Sequence, residues 1–144
     1  MTDWRNSDRG VFFVNVLGVV FNPQTRKILI GRRENDIHIK ELTWSFPGGR
    51  PTYDKDIEES LKDEIKKKTG LNVESLGAVF ARITDEKPEF MLIYYLCEVI
   101  GGKEKAGEKF KEIKWVNPEE LEKYFTTSFH PKLKEYITNL GVKK

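Results

Sequence analysis

The residues of this chain with types and spacing suited to chemistry are one acid and two bases close together, Glu64, Lys67 and Lys68. A glutamate carboxylate is the ligand type that Mg²⁺ requires, and such cations offset phosphate charge and activate bound water. A lysine cannot ligate a metal while it is protonated. The cluster therefore predicts either a metal site with a single carboxylate or a phosphate site that carries its own positive charge.

The cluster lies in a segment whose apolar spacing predicts a helix over residues 56–69. The predicted apolar stripe of this helix consists of Ile57, Leu61 and Ile65. At about 100° per residue, Glu64 and Lys68 border or enter the inward face. They are also four residues apart in the order that favours an ion pair. A solvated, salt-bridged helix face without further function is the simpler alternative.

Four residues that precede this helix in the chain are candidates for binding phosphate: Arg32, Arg33, Gly48 and Gly49. Arg32 and Arg33 end a predicted strand, and guanidinium groups match phosphate oxygens in a two-pronged fashion. Gly48 and Gly49 could present backbone N–H groups to an anion. The alternatives are a charged strand end that faces water for the arginines and a simple turn for the glycines.

The segment from Gly49 to Leu71 resembles the Nudix box, whose family pattern is G-x5-E-x7-R-E-U-x-E-E-x-G-U with U an aliphatic residue. The positions that match are Gly49, Glu64, Ile65, Gly70 and Leu71. At the remaining positions the expected acid is Lys55, the expected arginine is Asp63, and the final acid pair is Lys67 and Lys68. The glycine and aliphatic frame implies the family's fold, whereas the replaced acids argue against its usual metal.

The resemblance implies a hydrolase of phosphoanhydride bonds in nucleoside diphosphates linked to another group, with Mg²⁺ as cofactor. In the family the metal-binding acids come from one face of the box helix, at the positions that here are Glu64, Lys67 and Lys68. Glu64 is therefore the candidate catalytic and metal-ligating residue, and Mg²⁺-dependent hydrolysis is expected to be weak, altered or lost.

The resemblance also relates the replacements at positions 55, 63 and 67 to one another. The family's arginine at position 63 is pictured as bridging the acids at positions 55 and 67. Lys55, Asp63 and Lys67 would reproduce that bridge with every sign reversed. Such a compensated exchange is expected to keep the loop-to-helix geometry while removing acids.

Acids outside the box are further catalytic candidates. Glu108 and Glu112 precede Trp115 in the region where many family members supply a late catalytic or metal-binding acid. The match is loose, because Lys109 stands six residues before Trp115. Glu58 is another acid that a relocated site could use, and a solvated surface position is the alternative for each.

The order of predicted elements places this segment inside an α/β fold. Strands are predicted over residues 11–21, 27–33, 43–46, 73–83, 90–99 and 112–116. Further helices are predicted after Asn117 and over residues 131–140, and residues 101–107 are expected to form a flexible link. Strands on both sides of one helix imply a mixed sheet packed between helices. The resemblance implies the same α/β/α sandwich.

Length and composition limit the class of protein. A chain of 144 residues predicts one domain, 1–144, with a flexible tail at residues 1–9. The net charge of +2 does not indicate nucleic-acid binding, and the single Cys97 excludes an intrachain disulfide. The N-terminus lacks the layout of a signal peptide, and no apolar stretch reaches the roughly 20 residues of a membrane span. We expect a cytoplasmic protein with no membrane partner.

Three functions remain open at this point. The first is a hydrolase that uses Glu64 with relocated acids. The second is a binding module that holds a nucleotide or another pyrophosphate-containing small molecule, with Lys67 and Lys68 in place of a metal. The third is a structural or partner-binding domain without a small ligand, and a homodimer is compatible with each.

Overall fold

The computed structural model describes residues 9–40 and 42–142. The predicted N-terminal tail lies outside the described residues, apart from Arg9. The strands are β1 Phe13–Asn22, β2 Lys27–Arg33, β3 Trp44–Ser45, β4 Gly48–Gly49, β5 Leu71–Ile83, β6 Phe90–Gly102 and β7 Phe110–Val116. The helices are α1 Ile57–Thr69, α2 Leu121–Tyr124 and α3 Pro131–Leu140, with a 3₁₀ turn at Pro118–Glu120. The main predicted elements form, with ends that shift by up to three residues.

The strands form one mixed sheet with β1 at its centre. The order across the sheet is β3-β2-β1-β6-β5; in addition, β4 adds a short pairing to β1, and β7 pairs along β2 from Ile28 to Arg33. β1 runs parallel to β6 and antiparallel to β2 and β4. Its residues are almost all apolar, as expected for a strand that is covered on both faces.

Helices cover both faces of the sheet, and each face carries its own hydrophobic cluster. The cluster under α1 includes Leu61, Ile65, Val16, Val20 and Leu29. The cluster under α2 and α3 includes Leu121, Leu133, Ile137, Val19 and Ile28. Alternate residues of β1 thus point to opposite faces, as the two-residue period of a strand requires. The predicted α/β/α sandwich with a mixed sheet is confirmed.

Helix α1 differs from its predicted pattern at its first turn. Ile57 is 43% exposed, whereas Ser60 is buried next to Leu61. The apolar stripe therefore begins at Leu61, and Ile57 lies outside the hydrophobic cluster under the helix. At the other end Gly70 adopts a left-handed φ of 76° and ends the helix as predicted.

The segment expected to be a flexible link is held against the end of α1. β6 extends to Gly102, and the backbone N–H groups that follow donate to the last carbonyls of the helix. The bonds run from Lys103 to Gly70, from Lys105 to Thr69 and from Gly107 to Lys68, with lengths of 3.2, 2.8 and 2.9 Å. These carbonyls have no partner within the helix, so the link satisfies them and is fixed in place.

The C-terminal part also corrects one prediction. Asn117 and Glu120 form the predicted capping box, but it starts a 3₁₀ turn and only four residues of α-helix. His130 caps α3 by accepting from the N–H of Lys132. None of the helices in residues 9–40 and 42–142 has the length and hydrophobicity needed to cross a membrane.

Candidate functional site

A cleft of about 610 Å³ opens beside the glycine pair. Its lining has a charged part and an aromatic part. The charged part includes Gly48, Gly49, Glu64, Lys68 and Glu108. The aromatic part includes Trp44, Phe46, Tyr94, Phe125 and Phe129. The sequence-predicted cluster is thus brought to a concave surface together with aromatic rings from three separate segments of the chain.

Lys68 is the central residue of the charged part. Its Nζ atom donates to the carbonyl oxygen of Gly48 and lies 3.4 Å from Oε2 of Glu64. The Lys68 side chain is only 8% exposed, and that of Glu64 is 23% exposed. The i, i+4 spacing on α1 and the position near the helix C-terminus both favour the cation here.

The glycine pair is required for this geometry because two neighbours approach its backbone closely. A Cβ atom on Gly48 would lie 2.0 Å from the carbonyl oxygen of Val16, to which β4 pairs. A Cβ atom on Gly49 would lie 2.9 Å from Oε2 of Glu64. The missing side chains let β4 join the sheet and let Glu64 pack against the turn.

The surroundings of Lys68 act on its charge in opposite directions. Burial lowers the pKa of the Lys68 ammonium, and the negative charge of Glu64 opposes that shift. Arg33 lowers the same pKa further, whereas Glu108 raises it. The ammonium is therefore held by Glu64 and the Gly48 carbonyl in a place that water reaches poorly, and Glu108 adds a smaller charge effect.

The oxygen atoms around Lys68 are the groups that would have to bind Mg²⁺, the cofactor that the resemblance implied. A carboxylate and a carbonyl oxygen are ligands that Mg²⁺ accepts, but the Lys68 ammonium already contacts both. Across the described part of the chain, no group of three or more His, Cys, Asp or Glu side chains could hold a metal ion. The residues described here do not fit the family's Mg²⁺ site.

Of the two ion pairs predicted for Asp63, with Lys55 and with Lys67, the structure contains the first. Lys55 forms an ion pair with Asp63, and it is the main cause that lowers the pKa of Asp63. Lys67 contributes a smaller charge effect to Asp63, but its ammonium lies 3.9 Å from Oε1 of Glu64. Lys67 is 56% exposed and is absent from the cleft lining, so its predicted phosphate role has less support than that of Lys68.

The two predicted arginines separate because neighbouring strand residues face opposite sides. Arg33 lines the cleft and pairs with Asp36 at 3.0 Å. Arg32 lies outside the cleft lining and pairs with Glu34 at 2.7 Å and Glu112 at 3.1 Å. Its position gives no support to the predicted phosphate role, and its partner Glu112 is likewise outside the cleft lining.

The other acids predicted outside the box, Glu108 and Glu58, also lie on different surfaces. Glu108 lines the cleft and has a left-handed φ of 49°, which is unusual for a residue with a side chain. Glu58 lies instead on a separate acidic surface with Asp56, Glu59 and Glu74. Glu108 is therefore the one predicted relocated acid that reaches the cleft of Glu64.

A polar network on the cleft wall was missed by sequence reasoning. The guanidinium of Arg82 donates to the Ser128 hydroxyl at 2.6 Å, and the Ser128 hydroxyl and N–H donate to Glu86 at 2.7 and 2.8 Å. Thr84 adds a bond of 2.9 Å to Glu86. These hydrogen bonds lower the pKa of Glu86 against the effect of its desolvation. Residues 42 positions apart gave no local signal for this contact.

The network fixes the segment that completes the aromatic part of the cleft. Phe125 packs edge-to-face on Phe46 and on Phe129, with ring centroids 5.2 and 5.3 Å apart. Phe46 also contacts Tyr94, whose burial raises its pKa to about 12. The phenol is therefore neutral, and the wall is apolar. A flat heteroaromatic ring is the kind of group that such rings bind.

The match to a known family covers most of the chain. The family model described as NUDIX domain matches residues 11–139. The chain belongs to the NUDIX family. Its matched region contains β1 to β7, all three helices apart from the end of α3, and every residue of the charged cleft.

Two curated relatives of this NUDIX chain are similar in sequence. ADP-ribose pyrophosphatase of Methanocaldococcus jannaschii is 33% identical over 100 residues, which cover 67% of this chain and 58% of that protein. The human nucleoside diphosphate-linked moiety X motif 6 is 36% identical over 75 residues, which cover 52% of this chain and 23% of that protein. The chain thus matches less than two thirds of the length of either relative.

Solved structures support the family's fold at lower identity. The MutT protein of Methanosarcina mazei Go1 superposes with a TM-score of 0.69 and 18% identity, over 93% of this chain and 96% of that one. An ADP-ribose pyrophosphatase of Streptococcus suis gives a TM-score of 0.61 with 19% identity, over 90% and 88%. At these identities the likeness concerns the fold alone.

Proposed function

We propose that this NUDIX protein binds a nucleoside diphosphate or a related pyrophosphate-containing small molecule in the cleft, without a divalent metal. The position of Lys68 carries the proposal. Its buried ammonium contacts Glu64 and the Gly48 carbonyl, two oxygen groups that would otherwise be available to a cation. The Lys68 ammonium, a single charge fixed to the protein, occupies the place that a divalent metal ion would need.

The lining of the cleft supports a ligand with two chemically different parts. The glycine pair and nearby cations suit phosphate oxygens, and the partly buried rings of Trp44, Phe125 and Phe129 suit a nucleobase. The volume of about 610 Å³ is within the range of small-molecule sites. Similarity to an ADP-ribose pyrophosphatase makes ADP-ribose and ADP the first ligands to test.

The charge balance argues against metal-dependent hydrolysis as the main activity. Hydrolysis by the family's chemistry needs several acids to hold cations that activate water. Here Glu64 is already paired with Lys67 and Lys68, so a metal would have to displace a buried ammonium. Displacement would leave that ammonium near the added positive charge, which is unfavourable in a poorly solvated place.

Hydrolysis is the second candidate, because two observations favour it. Glu64 is retained, and Glu108 reaches the same cleft. The 33% identical relative is named as a pyrophosphatase. In this alternative the two carboxylates would act with a metal bound only when substrate phosphates add further oxygen ligands.

One calorimetric experiment separates the candidates. The protein is titrated with ADP, ADP-ribose and adenosine in EDTA and again in Mg²⁺, and each mixture is analysed for products by chromatography. The proposal predicts that the diphosphates bind with about the same affinity in both buffers and stay intact. Turnover that depends on Mg²⁺ would establish the hydrolase instead, and no binding of any compound would favour a structural or partner-binding role.

A further inference from the structure

A diphosphate bound without a metal needs cations that are not already neutralised by the protein. Five cationic side chains line the described part of the cleft: Arg33, Arg50, Lys68, Arg82 and Lys109. An ion pair that persists in the complex leaves little positive charge for a ligand. The partners of each cation therefore indicate where phosphate groups can be held.

Three of these cations are engaged by the protein itself. Arg33 is paired with Asp36, whose carboxylate is only 6% exposed. Lys68 is paired with Glu64 and bonded to Gly48. The terminal nitrogens of Arg82 donate to Ser128, in the network that holds the aromatic wall. These side chains build the cleft, and moving them to a ligand would break contacts that shape it.

The remaining two cations, Arg50 and Lys109, form no ion pair within residues 9–40 and 42–142. Arg50 contacts neutral groups: the ring of Phe13, with its guanidinium carbon 5.0 Å from the centroid, and Nε2 of His38 at 3.4 Å. Both cations are exposed, so a bound anion can reach them without rearrangement of the core.

Both cations line the cleft, and their segments adjoin the residues of its charged part. Arg50 follows directly on the glycine pair, whose Gly48 carbonyl accepts from Lys68. Lys109 follows Glu108 on the loop whose Gly107 N–H donates to the carbonyl of Lys68. Two separate segments thus each bring to the cleft lined by Lys68 and Glu64 one cation that forms no ion pair among the described residues.

We propose that Arg50 and Lys109 are the phosphate-holding residues of this protein, with Arg50 gripping two oxygens and Lys109 acting as a point charge. The inference rests on the proposed function, because it assigns the charges that a metal-free diphosphate site requires. The planar guanidinium can donate two parallel hydrogen bonds to one phosphate group, whereas the ammonium has no fixed direction. Arg32, Arg33 and Lys67 are not needed for this role.

The test uses inorganic pyrophosphate and ADP as probes in EDTA, with affinities measured by calorimetry. Arg50→Gln and Lys109→Gln should each weaken binding of both probes by about 10-fold or more, as expected for the loss of a charge-assisted hydrogen bond. Arg50→Lys should recover part of the affinity, because it keeps the charge but loses the two-pronged geometry. Added salt should weaken binding to the parent protein more than to either Gln variant.

Matched controls separate a local charge effect from a general one. Lys111→Gln and Arg32→Gln remove the same charges outside the cleft lining and should leave both affinities unchanged. Glu108→Gln removes the acid that lines the cleft beside Lys109 and should strengthen pyrophosphate binding. Thermal unfolding of each variant shows that it is folded.

The outcomes distinguish this inference from the function on which it rests. If the parent protein binds neither probe in EDTA, the proposed metal-free function fails. If the parent protein binds both probes and the Arg50 and Lys109 variants bind them equally well, the function stands and the assignment of these two residues is overturned.

Discussion

The Nζ atom of Lys68 lies 3.4 Å from Oε2 of Glu64, at a position in the helix where the NUDIX pattern has an acid. The pair closes on the Gly48 carbonyl and forms an internal salt bridge beside the cleft. The Lys68 ammonium thus contacts both the Glu64 carboxylate and the Gly48 carbonyl oxygen. This relationship leads to the first prediction, in which acids replace the two lysines of the box.

Lys67→Glu combined with Lys68→Glu should create Mg²⁺ affinity. The change surrounds Glu64 with carboxylates in place of ammonium groups, and Mg²⁺ prefers such oxygen ligands. The repulsion among these acids should lower the thermal midpoint without metal, and Mg²⁺ should raise it again by binding the folded state. Thermal unfolding with and without Mg²⁺ measures both effects.

Lys62→Glu combined with Lys66→Glu is the control for that experiment. It makes the same charge change on the exposed side of α1 and should give no response to Mg²⁺. An equal response in both double variants would mean that Mg²⁺ acts through general charge screening and not through Glu64.

The stability of the protein should depend on the Lys68 proton in the alkaline range. Burial lowers the pKa of Lys68 below its ordinary value of 10.5, so the unfolded chain binds this proton more tightly than the folded protein. Between the lowered pKa and 10.5 the unfolded state therefore holds more protons, and this group makes the free energy of unfolding rise with pH. Lys68→Met removes the contribution.

The free energies of unfolding of the parent protein and of Lys68→Met should be compared by denaturant titration at a series of alkaline pH values. The parent should gain stability relative to the variant as pH rises toward 10.5. A constant difference would show that Lys68 titrates alike in both states, and a loss relative to the variant would show that its pKa is raised.

Gly107→Ala should destabilise the protein by about 1–3 kcal/mol, the usual range for forcing extra atoms into a packed place. The new Cβ atom would lie 2.4 Å from the Lys67 carbonyl, so the loop that covers the end of α1 must move. Gly101→Ala is the control, because its Cβ atom would meet only Asn72 at 3.8 Å. Denaturant unfolding of both variants gives the comparison, and equal stability would mean that the loop is not packed on the helix.

Exchanging Lys55 and Asp63 should preserve stability, although each single change should lower it. Lys55→Asp places two carboxylates together, and Asp63→Lys places two ammonium groups together near Lys67. The double variant restores one attractive pair in the opposite direction. The thermal midpoints should follow this order at low salt and converge at high salt, since exposed charges are screened. A double variant that is no more stable than the single ones would contradict the pairing.

Most of the fold was predictable because patterns within short segments of the sequence encode its strands and helices. The apolar run of β1, the stripe from Leu61 to Ile65 and the glycine that ends α1 are local patterns, and each has one physical interpretation. Predictions were wrong where tertiary contacts override local preference. Ile57 is exposed because the hydrophobic cluster under α1 does not include it, and residues 103–107 are held by hydrogen bonds to the last carbonyls of that helix.

The site was predictable only in its helical part. Glu64 and Lys68 are neighbours on one helix face, so their pairing follows from spacing. Arg32 and Arg33 could not be ranked from sequence, because only the pairing of β2 with β7 decides which arginine meets Glu112. The contact of Arg82 and Glu86 with Ser128 depends on how two distant segments pack, and no local pattern marks it.

The sequence by itself determined that the NUDIX frame and Glu64 are kept while the other three acids of the box are replaced by lysines. Residue identity and spacing along one helix are sufficient for that statement, since the helical period fixes which residues are neighbours. Only the tertiary structure decided that Lys68 is buried against Gly48 and that, among the described residues, Arg50 and Lys109 line the cleft without an ion pair. Burial and charge pairing depend on segments that are far apart in the chain, so these properties arise when the sheet, the glycine turn and the loop after β6 pack together.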